Sequence, residues 1–422
     1  MVVRTDGGDR LSAADASNVL MDARDQVNVF LMAGLLGPGG FVSQDGAADI
    51  SRLRMGIAER LGEGAAVGLS RLAERVRADR RGLVWERCEV DLTRHVRLVD
   101  AVDGETGLAR LCASLMTTPL PDDRPLWEVL IVPGASAKGP GVVVRFHHAV
   151  ADGVGAVALI ERLFGQGRVI QPVPDTPRMK AVPRHRVRTL VTSISRVAAV
   201  FRTAVPPTVL LGPISANRGV AFVDVELDPI SRGARAAGGT VNDALLAAVA
   251  MAVEKSLLAD GHPVPAALPA SVPVALPGRG RSGNAVGILR VELPSGEPDP
   301  AVRLARIAAV TRTAKSEARA QGTFELTRTR WGSRLFAWLA RRQHFVALFV
   351  TNVRGPEEPM AFGGAPLERA WPLTPIQGNV RLGVSALSYR GRLGCAIHVD
   401  ADALRADVLA AALRDQLGRI AT

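Results

Sequence analysis

The sequence predicts an α/β fold in two domains, and three observations carry that expectation. Short β-branched runs alternate with helix-periodic segments along most of the chain. At 422 residues, the chain is longer than one ordinary hydrophobic core organises. A stretch rich in arginine and broken by Pro172, Pro174, Pro177, Pro183, Pro206, Pro207 and Pro213 divides it near the middle. Residues 1–165 are therefore expected to form an amino-terminal domain, 166–218 a linker and 219–422 a carboxy-terminal domain.

In the first domain the pattern predicts a helix over 13–24, strands over 26–32 and 83–91, and a helix over 106–116. Residues 129–132 and 142–146 are β-branched runs joined by a Pro/Gly-containing loop, the mark of two buried strands. A helix follows over 153–164. Within the linker, residues 187–204 place Arg188, Arg196 and Arg202 among Val, Leu, Ile and Phe. That amphipathic helix either packs across the two domains or rests on a membrane surface. The second domain opens with a strand over 220–227. Thr240 or Asn242 then caps a long buried helix over 244–258. Strands are expected over 270–275, 287–293, 345–353, 380–389 and 394–399, with a last helix over 403–416 and no internal repeat.

Composition narrows the function classes. With 47% hydrophobic and 22% charged residues the chain is a packed globular one. A net charge of +11 favours phosphates, acidic headgroups or polyanionic cofactors. Nucleic acid is not the expected partner, because aromatics make up 4% and Tyr389 is the single tyrosine, so no basic run interleaves with stacking residues. Cys88, Cys112 and Cys395 are an odd number far apart, which gives neither a disulfide framework nor a metal spacing. The expected setting is a reducing cytoplasm, with no bound metal or cofactor. The polar amino terminus shows no export signal, and no apolar run reaches membrane-spanning length.

The densest chemical signal is His147-His148-Ala149-Val150-Ala151-Asp152-Gly153, at the turn between a strand and a helix. Adjacent residues on an extended chain point to opposite faces, so only one of the two histidines faces a given cavity and the other is structural. A histidine titrates near neutrality and can take the proton of an alcohol as it attacks. Asp152 caps the helix or pairs with an arginine, and Gly153 permits tight packing or an unusual backbone angle. No Gly-x-Ser-x-Gly elbow is present, and the cysteines lie in apolar surroundings.

These residues resemble the His-His-x-x-x-Asp-Gly superfamily of coenzyme A-dependent acyltransferases, which also includes condensation domains of peptide synthetases. Other segments are similar to the bacterial wax ester synthase/diacylglycerol acyltransferase family. They are Asp123-Arg124-Pro125-Leu126-Trp127-Glu128, Thr240-Val241-Asn242-Asp243, Thr351-Asn352-Val353-Arg354-Gly355-Pro356, Ser12-Ala13-Ala14-Asp15 and Gly283-Asn284-Ala285-Val286-Gly287. Ala14 stands where that family has leucine, and Arg354 where it has proline.

The resemblance implies two chloramphenicol acetyltransferase-like domains, with mixed sheets flanked by helices and a tunnel at their interface. It makes His148 the general base, His147 and Asp152 its supports, and Asn242 and Asp243 a supporting element near the junction. Pro125, Leu126 and Trp127 would shape the site. The implied reaction moves a fatty acyl group from acyl-CoA, a co-substrate, to a long-chain alcohol or diacylglycerol. A hydroxyl or amine of a specialised metabolite and a catalytically idle scaffold are the alternatives. Asn284, which also reads as a turn residue beside Gly283, and a backbone N–H near Gly153 are candidate oxyanion donors. The arginines of 322–342 suit coenzyme A phosphates, a lipid surface or an ordinary solvated face. Peripheral association with membrane or lipid droplets accords with such substrates.

Overall fold

β-Branched runs become strands and the apolar-periodic segments become helices in a computed structural model that describes residues 9–22, 26–64, 68–80, 82–164, 205–275, 286–320, 338–356 and 358–421. Residues 187–204, Asn284 and most of 322–342 lie outside the described residues. The chain opens with β1 (Asp9–Arg10), α1 (Ala13–Met21), β2 (Val29–Leu36) and α2 (Ile50–Gly64). Next come β3 (Glu74–Asp79), β4 (Gly82–Arg87), α3 (Leu92–His95), β5 (Val96–Leu98), α4 (Gly104–Leu115), β6 (Trp127–Val132), β7 (Gly141–His147) and α5 (Gly153–Phe164). The second half contains β8 (Arg218–Glu226), α6 (Leu227–Ala236), α7 (Val241–Ala259), β9 (Ala267–Ala275), β10 (Val286–Pro294), α8 (Pro300–Ala320) and β11 (Leu348–Arg354). It closes with β12 (Ala361–Phe362), β13 (Ala365–Leu373), β14 (Leu382–Tyr389), β15 (Arg392–Asp400) and α9 (Ala406–Ala421).

Among the described residues, the strands make two mixed six-stranded sheets and a small sheet of β1, β4 and β3. One large sheet runs β12-β13-β2-β7-β6-β5, the other β10-β9-β11-β14-β15-β8. In the first, β2, β6 and β7 are buried at every position, as expected where both faces are covered. Their alternation separates two apolar layers. Phe30, Met32, Val144 and Phe146 pack under α2 and α5, whereas Leu31, Ala33, Leu130 and Val143 face α4 and Trp371. Arg145 lies on the latter face, buried and ion-paired with its cross-strand neighbour Glu128.

The second large sheet is covered by α7, the long apolar helix. Thr240 caps it, and the Asp243 side chain reaches back to the Thr240 N–H to complete a capping box. Thirteen of its residues are buried, so packing rather than propensity holds it.

The two sheets are not separate in chain order. Strand β13 comes from the carboxy-terminal half yet pairs antiparallel with β2, Trp371 opposite Ala33. From there it crosses the second sheet closely, since a Cβ on Gly394 would stand 2.2 Å from the Ala370 carbonyl oxygen. Phe222 of β8 stacks on Trp371 with ring centroids 4.5 Å apart. Arg369 ties β13 to Glu105 of α4 and to Asp224 of β8. Val353, Leu387 and Tyr389 from the second sheet complete the apolar layer under α5.

Among the described residues, no single helix is long and apolar enough to cross a membrane; the bent pair α6 and α7 meets length and composition only jointly, and α7 is buried in the core.

Candidate active site

Strand β7 ends at His147, and its partner β2 brings Val29 opposite. The chain then turns: the Val150 N–H donates to the His147 carbonyl at 2.8 Å, and α5 begins at Gly153. Behind the turn, the His147 N–H donates to the Leu126 carbonyl at 3.0 Å. Pro125, Leu126 and Trp127 are all buried there. The Trp127 indole donates to the Leu72 carbonyl at 2.9 Å and stacks on His95, which holds the start of β6, paired with the motif strand at Phe146, against those two segments.

The two histidines have different surroundings. His147 is 2% exposed. Its Nδ1 accepts from the Ala149 N–H at 3.0 Å, so Nδ1 is bare and the proton sits on Nε2. That Nε2–H donates to Asp22 Oδ2 at 3.0 Å. His147 is thus committed on both ring nitrogens. His148 keeps some accessible surface. Burial, with His147 beside it, nonetheless pushes its imidazole down to about 4, opposed by the Asp22 carboxylate. A group so depressed is an unprotonated imidazole at neutral pH, the state a base requires.

The main chain of His148 is anchored at both ends. Its N–H donates to the Asn28 carbonyl at 2.9 Å, and its carbonyl accepts from Asn18 Nδ2 at 3.1 Å. Asn28 Nδ2 in turn donates to Asn18 Oδ1 at 3.1 Å. The opening segment serves this arrangement at a distance, because Ser12 Oγ accepts from the Asp15 N–H at 3.1 Å and caps α1, the helix that carries Asn18.

Asp152 caps α5, its Oδ1 accepting from the Gly155 N–H at 2.8 Å. Gly153 departs from the sequence expectation. Its φ is not positive, and an added Cβ would meet Val353 and Phe30 only at ordinary contact, 3.5 Å at the nearest. Across the junction, Val353, in the Thr351–Pro356 motif segment, stands against the start of α5 and leaves room for a Cβ at Gly153. The strand ends of both halves therefore meet at the histidine turn.

The Asn-Asp pair serves helix α7. Asn242 is half-buried in its first turn. Asp243 is buried, with one oxygen on Thr240 and the other accepting from Thr311 Oγ1 at 2.7 Å. Asn284 lies outside the described residues. Sequence reasoning missed Asp22, Asn18 and Asn28. The one signal for Asp22 is an acidic residue at a helix carboxy end, where the dipole disfavours it.

No thiolate competes with the histidine. Burial pushes Cys395 up to about 12 and raises Cys112 and Cys88 as well. Among the described residues, no cluster of histidine, cysteine or carboxylate groups suits a metal ion.

Comparison with known proteins gives a consistent result. The family model for the wax ester synthase/diacylglycerol acyltransferase catalytic domain matches residues 11–203, and that for the WS/DGAT C-terminal domain matches residues 282–421. A Mycobacterium tuberculosis protein named among the diacylglycerol O-acyltransferases is 30% identical over 356 residues, which is 72% of this chain and 69% of that protein. The wax ester synthase/diacylglycerol acyltransferase of Marinobacter aquaeolei VT8 shares the fold at a TM-score of 0.73 and 19% identity, with 98% of each chain covered. The starter condensation domain of rhizomide synthetase, solved with C8-CoA and Leu-SNAC, superposes at a TM-score of 0.59 and 14% identity, over 98% of this chain and 94% of that one. The likeness to these two structures is one of fold.

Proposed function

The chain belongs to the wax ester synthase/diacylglycerol acyltransferase family and is an acyltransferase, and from that premise we propose that it esterifies a long-chain alcohol or diacylglycerol with a fatty acyl group from acyl-CoA, using His148 as general base. The observation that carries the base assignment is the division of labour at the turn: His147, buried, spends both ring nitrogens on protein partners, while His148 keeps accessible surface.

In this mechanism, His148 takes the hydroxyl proton as the alcohol oxygen attacks the thioester carbonyl carbon. The resulting tetrahedral oxyanion collapses with cleavage of the C–S bond, and the proton passes to the departing sulfur. Ester and free CoA are the products, with no covalent acyl-enzyme. The amino end of α5 supports this reading, because the positive end of its dipole lies beside the turn, where it disfavours imidazolium and favours the developing oxyanion. We extend the proposal to a tunnel between the two halves that brings donor and acceptor to His148, and to the domain division at 166–218. Contact with a lipid surface belongs to it too, supported by Trp338, half exposed and covered by the Arg342 guanidinium.

The test is thiol release from palmitoyl-CoA with hexadecanol, dipalmitoylglycerol or no acceptor, beside His148→Ala. Release that depends on an acceptor and falls at least about 10²-fold in the variant is expected. No release with any acceptor would point to an idle scaffold or a carrier-bound donor.

A further inference from the structure

Asp22 stands at the carboxy end of α1, where a carboxylate meets the negative end of the helix dipole and needs compensating donors. It has two. Oδ2 takes the His147 Nε2–H at 3.0 Å, and Oδ1 takes the Asn28 N–H at 2.6 Å. Each partner leads to His148. His147 Nδ1, left bare, accepts from Ala149, the residue after His148, and the Asn28 carbonyl accepts from the His148 N–H.

We propose that Asp22 is a positioning residue for acyl transfer: it holds His147 in its Nε2–H form and Asn28 in register, and so fixes the main chain on both sides of His148. The proposal rests on His148 being the base. An isosteric amide cannot replace this carboxylate, because its single oxygen serves one of the two N–H donors and its NH2 meets the other. Relief by moving the His147 proton to Nδ1 would set N–H against the Ala149 N–H. Either way, the base shifts, and a displacement on the order of 1 Å at a reacting group costs about 10²-fold in rate.

The experiment uses the full chain: ¹⁵N-histidine NMR, with His147 assigned by substitution, and steady-state kinetics with palmitoyl-CoA. The wild type should show His147 protonated at Nε2 and bare at Nδ1. Asp22→Asn should lose that pattern, with kcat down about 10²-fold and the KM for palmitoyl-CoA within about twofold. Asp22→Glu, which keeps both acceptor oxygens, should recover part of kcat. A wild-type His147 protonated at Nδ1 or at both nitrogens overturns the proposal, and this holds even if Asp22→Asn does not fold. Unchanged kcat in a folded Asp22→Asn overturns it too. Activity that survives His148→Ala sinks the base reading itself, a failure told apart because the NMR pattern does not depend on turnover.

Discussion

At the scale of single residues, burial sets the chemistry. His148 and His398 are both depressed from 6.5 to about 4, each mainly by desolvation. For His148 in its proposed role as base, a low value keeps the imidazole unprotonated, so kcat should hold from about pH 8 to about pH 5.5 and decline only nearer 4, as a pH–rate profile would show. For stability the sign runs the same way. Between 6.5 and 4, the unfolded chain binds protons that the folded chain excludes, so stability is complete above pH 6.5 and lost as pH falls. His398 donates from Nδ1 to the Thr374 carbonyl and is 2% exposed. Urea midpoints measured at pH 7 and pH 5 should therefore differ less in His398→Leu than in the wild type. Arg145 is a second buried charge, held by Glu128 and by the Leu115 carbonyl. Glu128→Gln strands it and should cost about 3–5 kcal/mol in denaturant unfolding, more than the double change Glu128→Leu/Arg145→Leu.

At the scale of elements, α7 depends on its first turn. Thr240→Ala removes the cap oxygen and should lower stability by about 1 kcal/mol, read as a shifted urea midpoint at unchanged slope. The sequence left the cap between Thr240 and Asn242, and the structure places it at Thr240. Elements β6, β7 and α5 were legible in the sequence, because their β-branched runs and turn residues act locally, and the helix over 153–164 matches α5 at both ends. What escaped was set by distant parts of the chain. Strand β13 contains Pro366 and Pro372 and no β-branched residue, so nothing local marks it as a strand; β2 makes it one. Helix α8 carries many charges and little apolar periodicity, and its buried Leu304 and Ile307 find their partners in the core around the second sheet. In the site, the histidine turn was visible, whereas Asp22 lies 125 residues from His147 and no periodicity joins them.

At the scale of the whole molecule, each half completes the other. Without β13, β2 becomes an edge with unpaired N–H and C=O groups beside the motif strand. Residues 1–204 made alone should therefore aggregate or stay partly unfolded, and co-production with 205–422 should restore a soluble complex; a soluble, cooperatively melting fragment would refute this. The same crossing imposes a timetable on the ribosome. The histidine turn is synthesised early, but β13 emerges over 200 residues later, a wait of roughly 10 to 45 s at ordinary elongation speeds. Throughout that interval the nascent sheet carries an open, apolar edge, so the amino-terminal half is exposed to aggregation until only about fifty residues remain to be made.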